Sequence, residues 1–218
     1  MKNDIAPDTL KFRLAIDKFE NNNKGKTENI KDSLTAFCQI QEMNNPEKFP
    51  TLTNKLFVDT LNNKPIAFYL NHPNIDKYSK LYYKGKFAAS DDDMTFAFLD
   101  SVLTTNPETK AFYLYVFNCV LRTSDGALSE YISEDCRKYF EQFPCEFLLL
   151  KNSKLYSQNY EEWINFTAFD YYVEQNSIEI LDKVIKKIKP KVLTNCGNHD
   201  NEIESIRMKM IKLIKENK

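Results

Sequence analysis

Glycine is scarce in this chain: four residues among 218, at Gly25, Gly85, Gly126 and Gly197, where an average protein carries ~7%. They stand far apart, so no loop has the two or three glycines that let a backbone wrap a phosphate. Dinucleotide-binding and phosphate-loop readings are excluded on that ground. Histidine is scarcer still, with His72 and His199 the two present, too few for a three-histidine metal site. No apolar run approaches the ~20 residues of a membrane-spanning helix, so stable membrane insertion is not expected. Charge of one sign is missing too. Thirty basic residues meet 31 acidic ones, and no whole-chain field selects nucleic acid or anionic lipid. The expectation is no cofactor, no metal and no nucleic-acid partner.

Cysteine is present but unpatterned. Cys38, Cys119, Cys136, Cys145 and Cys196 are odd in number with no repeated spacing, which is not a disulfide framework. Cys38 and Cys119 sit in apolar stretches and read as buried thiols. Residues Met1 to Leu10 lack the apolar core and cleavage site of a signal peptide. A reducing cytoplasm is the expected compartment, with secretion or a periplasmic location the alternative if Met1 is not the natural start.

What the chain does have is 42% hydrophobic residues, including 16 Phe and 12 Tyr, recurring mostly at helical spacing. Residues 1–26 read as an N-terminal arm or loosely attached helix ending in the polar stretch Asn21 to Lys26, and residues 27–218 as a single helical domain. Thr27 precedes Ile30, Leu34, Phe37 and Cys38. Thr51 or Thr53 caps a helix with Leu56, Phe57, Thr60 and Leu61. Pro65–Leu70 and Ile75–Tyr83 flank an Asn-His-Pro-Asn break. Ser90 or Asp91 opens the segment of Met94, Ala97, Phe98 and Val102. Asn106, Pro107 and Glu108 form a helix start, leading into Lys110–Arg122, apolar nearly all round and therefore the buried central helix. Leu128 to Phe143, a restart at Pro144, Tyr160 to Tyr171, a Ser177-capped helix stopped by Pro190, and a last helix capped by Asn198 or Asp200 complete the pass. Leu10 to Ile16 alternates with the period of a strand, but Phe12, Ala15, Ile16 and Phe19 also stand at helical spacing, and no second alternating run exists for a strand to pair with.

The fold expected is all-α, with about eight to eleven helices in an irregular multi-helix bundle or a short α-α superhelical stack. A recurrence of Ala67-Phe68-Tyr69-Leu70 at Ala111-Phe112-Tyr113-Leu114 hints at the stack, since its spacing falls within the ~40–47 residues of helical repeats.

Several constellations invite chemistry. Cys196-Gly197-Asn198-His199-Asp200 offers thiolate and imidazole, donors zinc prefers, or a cysteine nucleophile. A turn between two helices explains the same residues. Asp91-Asp92-Asp93 is better explained as a helix start than as a cation loop, because the alternate spacing and the sharp glycine turn are absent. Lys183, Lys186, Lys187, Lys189 and Lys191 lie alongside apolar residues at helical spacing, a solvated face rather than a lipid or phosphate surface. Residues 125–182 hold four basic and twelve acidic groups, whereas 183–218 hold ten basic and four acidic ones. The two ends either pair within the molecule or face partners.

These features favour a non-catalytic helical protein–protein interaction module that caps or neutralises a protein partner through an acidic surface. The contact residues expected are Tyr78, Tyr82, Tyr83, Glu130, Glu134, Glu161 and Glu162, since tyrosine suits interfaces and the glutamates lie in the acidic stretch. The competing class is a hydrolase using carboxylates or a Cys/His pair.

Overall fold

The computed structural model describes residues 58–124, 126–197 and 199–217. The expected arm boundary at residue 26 and the segments around Thr27, Cys38, Thr51 and Thr53 lie outside these residues. Within them the chain is an all-α multi-helix bundle. Nine α-helices follow a two-residue hairpin: α1 Ile66–Asn71, α2 Lys77–Tyr83, α3 Asp93–Leu99, α4 Lys110–Leu121, α5 Gly126–Gln142, α6 Pro144–Leu150, α7 Tyr160–Tyr172, α8 Ser177–Asn195 and α9 Asp200–Glu216. Short 3-10 turns at Asp100–Leu103 and Ser157–Asn159 precede α4 and α7.

The hairpin corrects the helix expected through Thr60 and Leu61. Strands β1 (Thr60–Leu61) and β2 (Lys64–Pro65) pair antiparallel, Thr60 with Pro65 and Leu61 with Lys64. Asn62 and Asn63 between them have φ of 48° and 62°. A two-residue turn with both φ positive matches the right-handed twist of its strands, and asparagine tolerates that conformation best after glycine.

Local chemistry sets the helix starts. Asp76 accepts from the Ser79 amide at 2.8 Å and caps α2. Asp92, one residue later than expected, accepts from the Thr95 amide at 2.8 Å and caps α3. Burial works upward on Asp92, but the hydrogen bonds from Ser90 and Thr95 win and hold it below its ordinary range. At Asn106 the side chain accepts from the Glu108 amide at 2.9 Å and the carbonyl from the Lys110 amide at 3.0 Å. The residues between form a turn, so α4 proper begins at Lys110. Ser177 is not a cap. Asn176, at φ 61°, occupies that position and Ser177 is the first helical residue.

Pro190 does not stop α8, which runs on to Asn195. Ile188 and Val192, each 1% exposed, anchor the helix on both sides of the proline, while Pro190 and Lys186 face solvent. Water can therefore solvate the Lys186 carbonyl that loses its amide partner.

The core centres on Trp163 of α7, fully buried among Phe117 of α4, Tyr139 of α5 and Phe147 of α6, with ring centroids 5.0, 5.2 and 6.1 Å away. Its indole N–H donates to Asn118 Oδ1 at 3.2 Å, and Asn159 Nδ2 donates to the Asn118 carbonyl at 3.3 Å. Helix α4 is central, as its all-round apolar sequence predicts, with nine of its twelve residues buried. The two Ala-Phe-Tyr-Leu segments fall in helices of six and twelve residues, and Tyr69 of one stacks on Phe112 of the other at 5.8 Å.

Cysteine requires a correction. Cys145 in the first turn of α6 is disulfide-bonded to Cys196 at the end of α8, with Cα atoms 5.6 Å apart. Cys119 and Cys136 are buried. Spacing carried no trace of this bond because it depends on where two helix ends meet.

Candidate functional site

Helices α5 and α7 make the most extensive helix–helix contact among the described residues. Leu128, Ile132, Cys136, Tyr139 and Phe140 of α5 and Tyr160, Trp163, Ile164, Ala168 and Tyr171 of α7 turn to the core, as their spacing predicts. Beside that contact lies a cleft of about 400 Å³, within the ~300–1,000 Å³ of ligand-binding clefts. Ser129, Glu130 and Ser133 of α5 line one wall, and Glu162, Asn165, Phe166 and Phe169 of α7 the other. Leu213 and Asn217, from the end of α9 and the residue after it, close one side.

Phe169 is 38% exposed, unusual for so large an apolar side chain, and Phe166 is half-buried. Ser133 is buried, and its hydroxyl donates to the Ser129 carbonyl at 2.7 Å, so it already has a partner. Glu130 and Glu162 are exposed at the rim, and Glu162 Oε2 accepts from Asn165 Nδ2 at 3.3 Å.

The four glutamates singled out by sequence divide into two kinds. Glu134 is paired with Lys138 at 2.8 Å along α5, and Glu161 pairs with Lys209 of α9. Glu130 and Glu162 have no ion-pair partner among the described residues, and both stand at the cleft. The tyrosines do not join them. Tyr82 and Tyr83 are buried at 8% and 5% exposure. The Tyr83 hydroxyl donates to the Val58 carbonyl at 2.9 Å, and burial pushes its pKa up to about 12. Tyr78 is half-buried against Phe87 at 5.1 Å.

The sequence missed Phe166 and Phe169. The signal was available: both are large apolar residues lying off the stripe that carries α7 into the core.

The Cys196–His199 segment is a connection between α8 and α9. Its Cys196 sulfur is bound to Cys145, which removes both the zinc-ligand and the nucleophile readings. Gly197, at φ 87°, makes the turn. Position 198 lies outside the described residues. Asp200 does not cap α9: His199 holds the cap position without a side-chain bond, its Nδ1 paired with Glu202. Asp200 lies in the first turn and pairs with Lys189 at 3.2 Å. The second histidine, His72, accepts from the Asn74 amide at Nδ1 and lies 3.3 Å from Glu108 through Nε2, which staples the end of α1 to the turn before α4.

The acidic middle and basic end meet within the molecule, in part. Arg207 binds Asp182 at 2.6 Å, and Lys209 binds Glu161. On α8, Lys183 pairs with Glu179 at 2.8 Å while Lys186, Lys187 and Lys191 face solvent over a buried row of Leu181, Ile185, Ile188 and Val192. That is the pattern of a core helix with a solvated face. None of the helices described is long and apolar enough to cross a membrane. Among the described residues no group of three or more His, Cys, Asp or Glu side chains is arranged to hold a metal ion. No known protein family, curated protein or solved structure matches this chain.

Proposed function

We propose that this chain is a non-catalytic helical interaction module that captures another protein at the α5–α7 cleft, using the acidic rim to neutralise a basic partner surface. The observation that carries this reading is the division among the glutamates. Glu134 and Glu161 are engaged with lysines, whereas Glu130 and Glu162 have no lysine or arginine partner among the described residues and stand at a cleft lined by Phe166 and Phe169. An apolar centre with a polar rim is the composition of protein interfaces. Rim charges of one sign steer a partner of the opposite sign.

The competing hydrolase reading has one point in its favour, two carboxylates from different helices at one cleft. Both are exposed, however, without the apolar enclosure that keeps a catalytic acid protonated. The Cys145–Cys196 disulfide supports an oxidising compartment as the place where the module works, rather than the reducing cytoplasm.

The test is partner capture from the cells that make the protein, with the native chain and Glu130→Lys/Glu162→Lys as parallel baits. A partner retained by the native chain and lost from the double variant, with circular dichroism unchanged, is the expected result. The same proteins retained equally by both baits would remove the acidic-cleft reading.

A further inference from the structure

We infer that the α5–α7 cleft takes a single basic side chain of the partner, an arginine or lysine lodged against the rings of Phe166 and Phe169 and paired with Glu130 and Glu162. This rests on the interaction-module reading and adds the chemistry of the contact.

The argument comes from how this protein seats its own cations. Arg137 lies over the Tyr171 ring, 4.4 Å from its centroid, and binds Glu141 at 2.9 Å, Asp170 at 3.1 Å and Glu174 at 3.2 Å. Lys110 lies 3.4 Å above the Phe143 ring and binds Glu146 at 2.6 Å. Each cation meets both an aromatic face and carboxylate oxygen. A ring face attracts a cation through its quadrupole, and the carboxylate supplies charge-assisted hydrogen bonds.

The cleft holds the same kinds of group: Phe166 and Phe169 supply two rings, Glu130 and Glu162 two carboxylates, and among the described residues no lysine or arginine lines it. Glu130 and Glu162 come from different helices, so a cation between them meets negative charge from both walls. The volume of about 400 Å³ exceeds one side chain, which leaves room for adjoining partner backbone over Leu213. Charge complementarity thus selects the occupant. A neutral apolar side chain entering the same cleft would leave two carboxylates partly desolvated without a counter-charge.

The experiment uses fluorescein-labelled alanine-based helical peptides with arginine, lysine or citrulline at positions i and i+4, titrated into the full chain by fluorescence anisotropy. Citrulline keeps the size and hydrogen-bonding groups of arginine and removes its charge. The expected result is binding of the arginine or lysine peptide at least ~10-fold tighter than the citrulline peptide, consistent with a charge-assisted contact. Glu130→Gln/Glu162→Gln should abolish that preference. Phe169→Leu, which keeps apolar volume but removes the ring, should weaken basic-peptide binding ~3-fold or more. Circular dichroism and Trp163 emission check that each variant is folded. Equal affinity for arginine and citrulline peptides, no binding of any peptide, or a preference untouched by the double variant would overturn the inference. So would concentration-dependent self-association in sedimentation velocity that Glu130→Gln/Glu162→Gln removes, because the occupant would then be a second copy of this chain. If the basic-side-chain inference fails while a native partner is still captured and lost on Glu130→Lys/Glu162→Lys, the module reading survives without it.

Discussion

Cys145 and Cys196 lie 51 residues apart in sequence, and their disulfide ties the first turn of α6 to the last turn of α8. Both residues are half-buried. Closing a loop of that length removes conformations from the unfolded chain, which in the chain-entropy model is worth about 4 kcal/mol. Cys145→Ala/Cys196→Ala should lower stability by about that amount in guanidinium titrations, and dithiothreitol should lower the native protein toward the same value. Alkylation of the denatured chain, read by mass, should count two more reactive cysteines with reductant than without. An unchanged alkylation count would remove the bond and with it the case for an oxidising compartment.

Asp135 of α5 is 1% exposed, and both its carboxyl oxygens lack a hydrogen-bond partner among the described residues. Facing it are Asp100 of the 3-10 turn, which accepts from the Tyr131 hydroxyl at 2.9 Å, and on its own helix Glu134 and Lys138, the latter with Nζ 3.8 Å away. The buried Cys136 thiol next to it feels both Asp135 and Asp170 of α7, and Asp170 is paired with Arg137 at 3.1 Å. Burial first, then the Asp100 charge, raise Asp135 from 3.8 to about 8 against the opposing pull of Lys138. Over that interval the folded chain holds a proton that the unfolded chain releases. Stability from this group is therefore full below pH ~4, falls as pH rises, and levels off above pH ~8. Urea midpoints measured across this range should show the decline, and Asp135→Asn should flatten it while remaining folded at neutral pH.

Asn118 satisfies both the Trp163 indole and the Asn159 amide inside the core. Asn118→Leu removes the Oδ1 acceptor of the Trp163 indole and keeps the backbone carbonyl that serves Asn159, leaving a buried donor unpaired at a cost of about 1–3 kcal/mol. Trp163 is the one tryptophan of the chain and is fully buried. Its emission should be blue-shifted in the native protein and move red in the variant as water gains access. A midpoint of unfolding unchanged from the native protein would show that the network contributes nothing.

Pro190 sits on the solvent side of α8 with the helix continuing past it. Pro190→Ala restores an amide donor for the Lys186 carbonyl and removes the ring, which should stabilise the helix by up to about 3 kcal/mol, less the unfolded-state entropy that proline suppresses. Calorimetry should record a higher Tm. A lower one would show that the proline has a native role that its exposure conceals.

The helices were legible because their signals are local. Apolar spacing located α4, α5, α7, α8 and α9, Pro144 marked the start of α6, and the unbroken apolar surface of Lys110–Leu121 placed α4 at the centre. Where two local signals competed, burial chose between them. Pro190 argued for a stop, but Val192 beyond it is 1% exposed, and its packing outweighs one lost hydrogen bond that water can replace. The Asn62-Asn63 turn was legible in principle, since its residue types suit positive φ.

The candidate site was legible in half. Glu130 and Glu162 stood out in an acidic stretch, yet nothing in the sequence distinguished them from Glu134 and Glu161, whose lysine partners arrive from the same helix and from α9 respectively. The amino-acid sequence by itself determined an all-helical chain with a crowded aromatic interior, because periodicity and capping depend on residues three or four positions apart. Tertiary structure alone decided that two cysteine-bearing helix ends meet, that Asp135 is shut away beside Asp100, and that Phe169 borders a cleft. Each of these depends on how helix faces distant in the chain are rotated and pressed together, and that arrangement is set by packing of the whole interior.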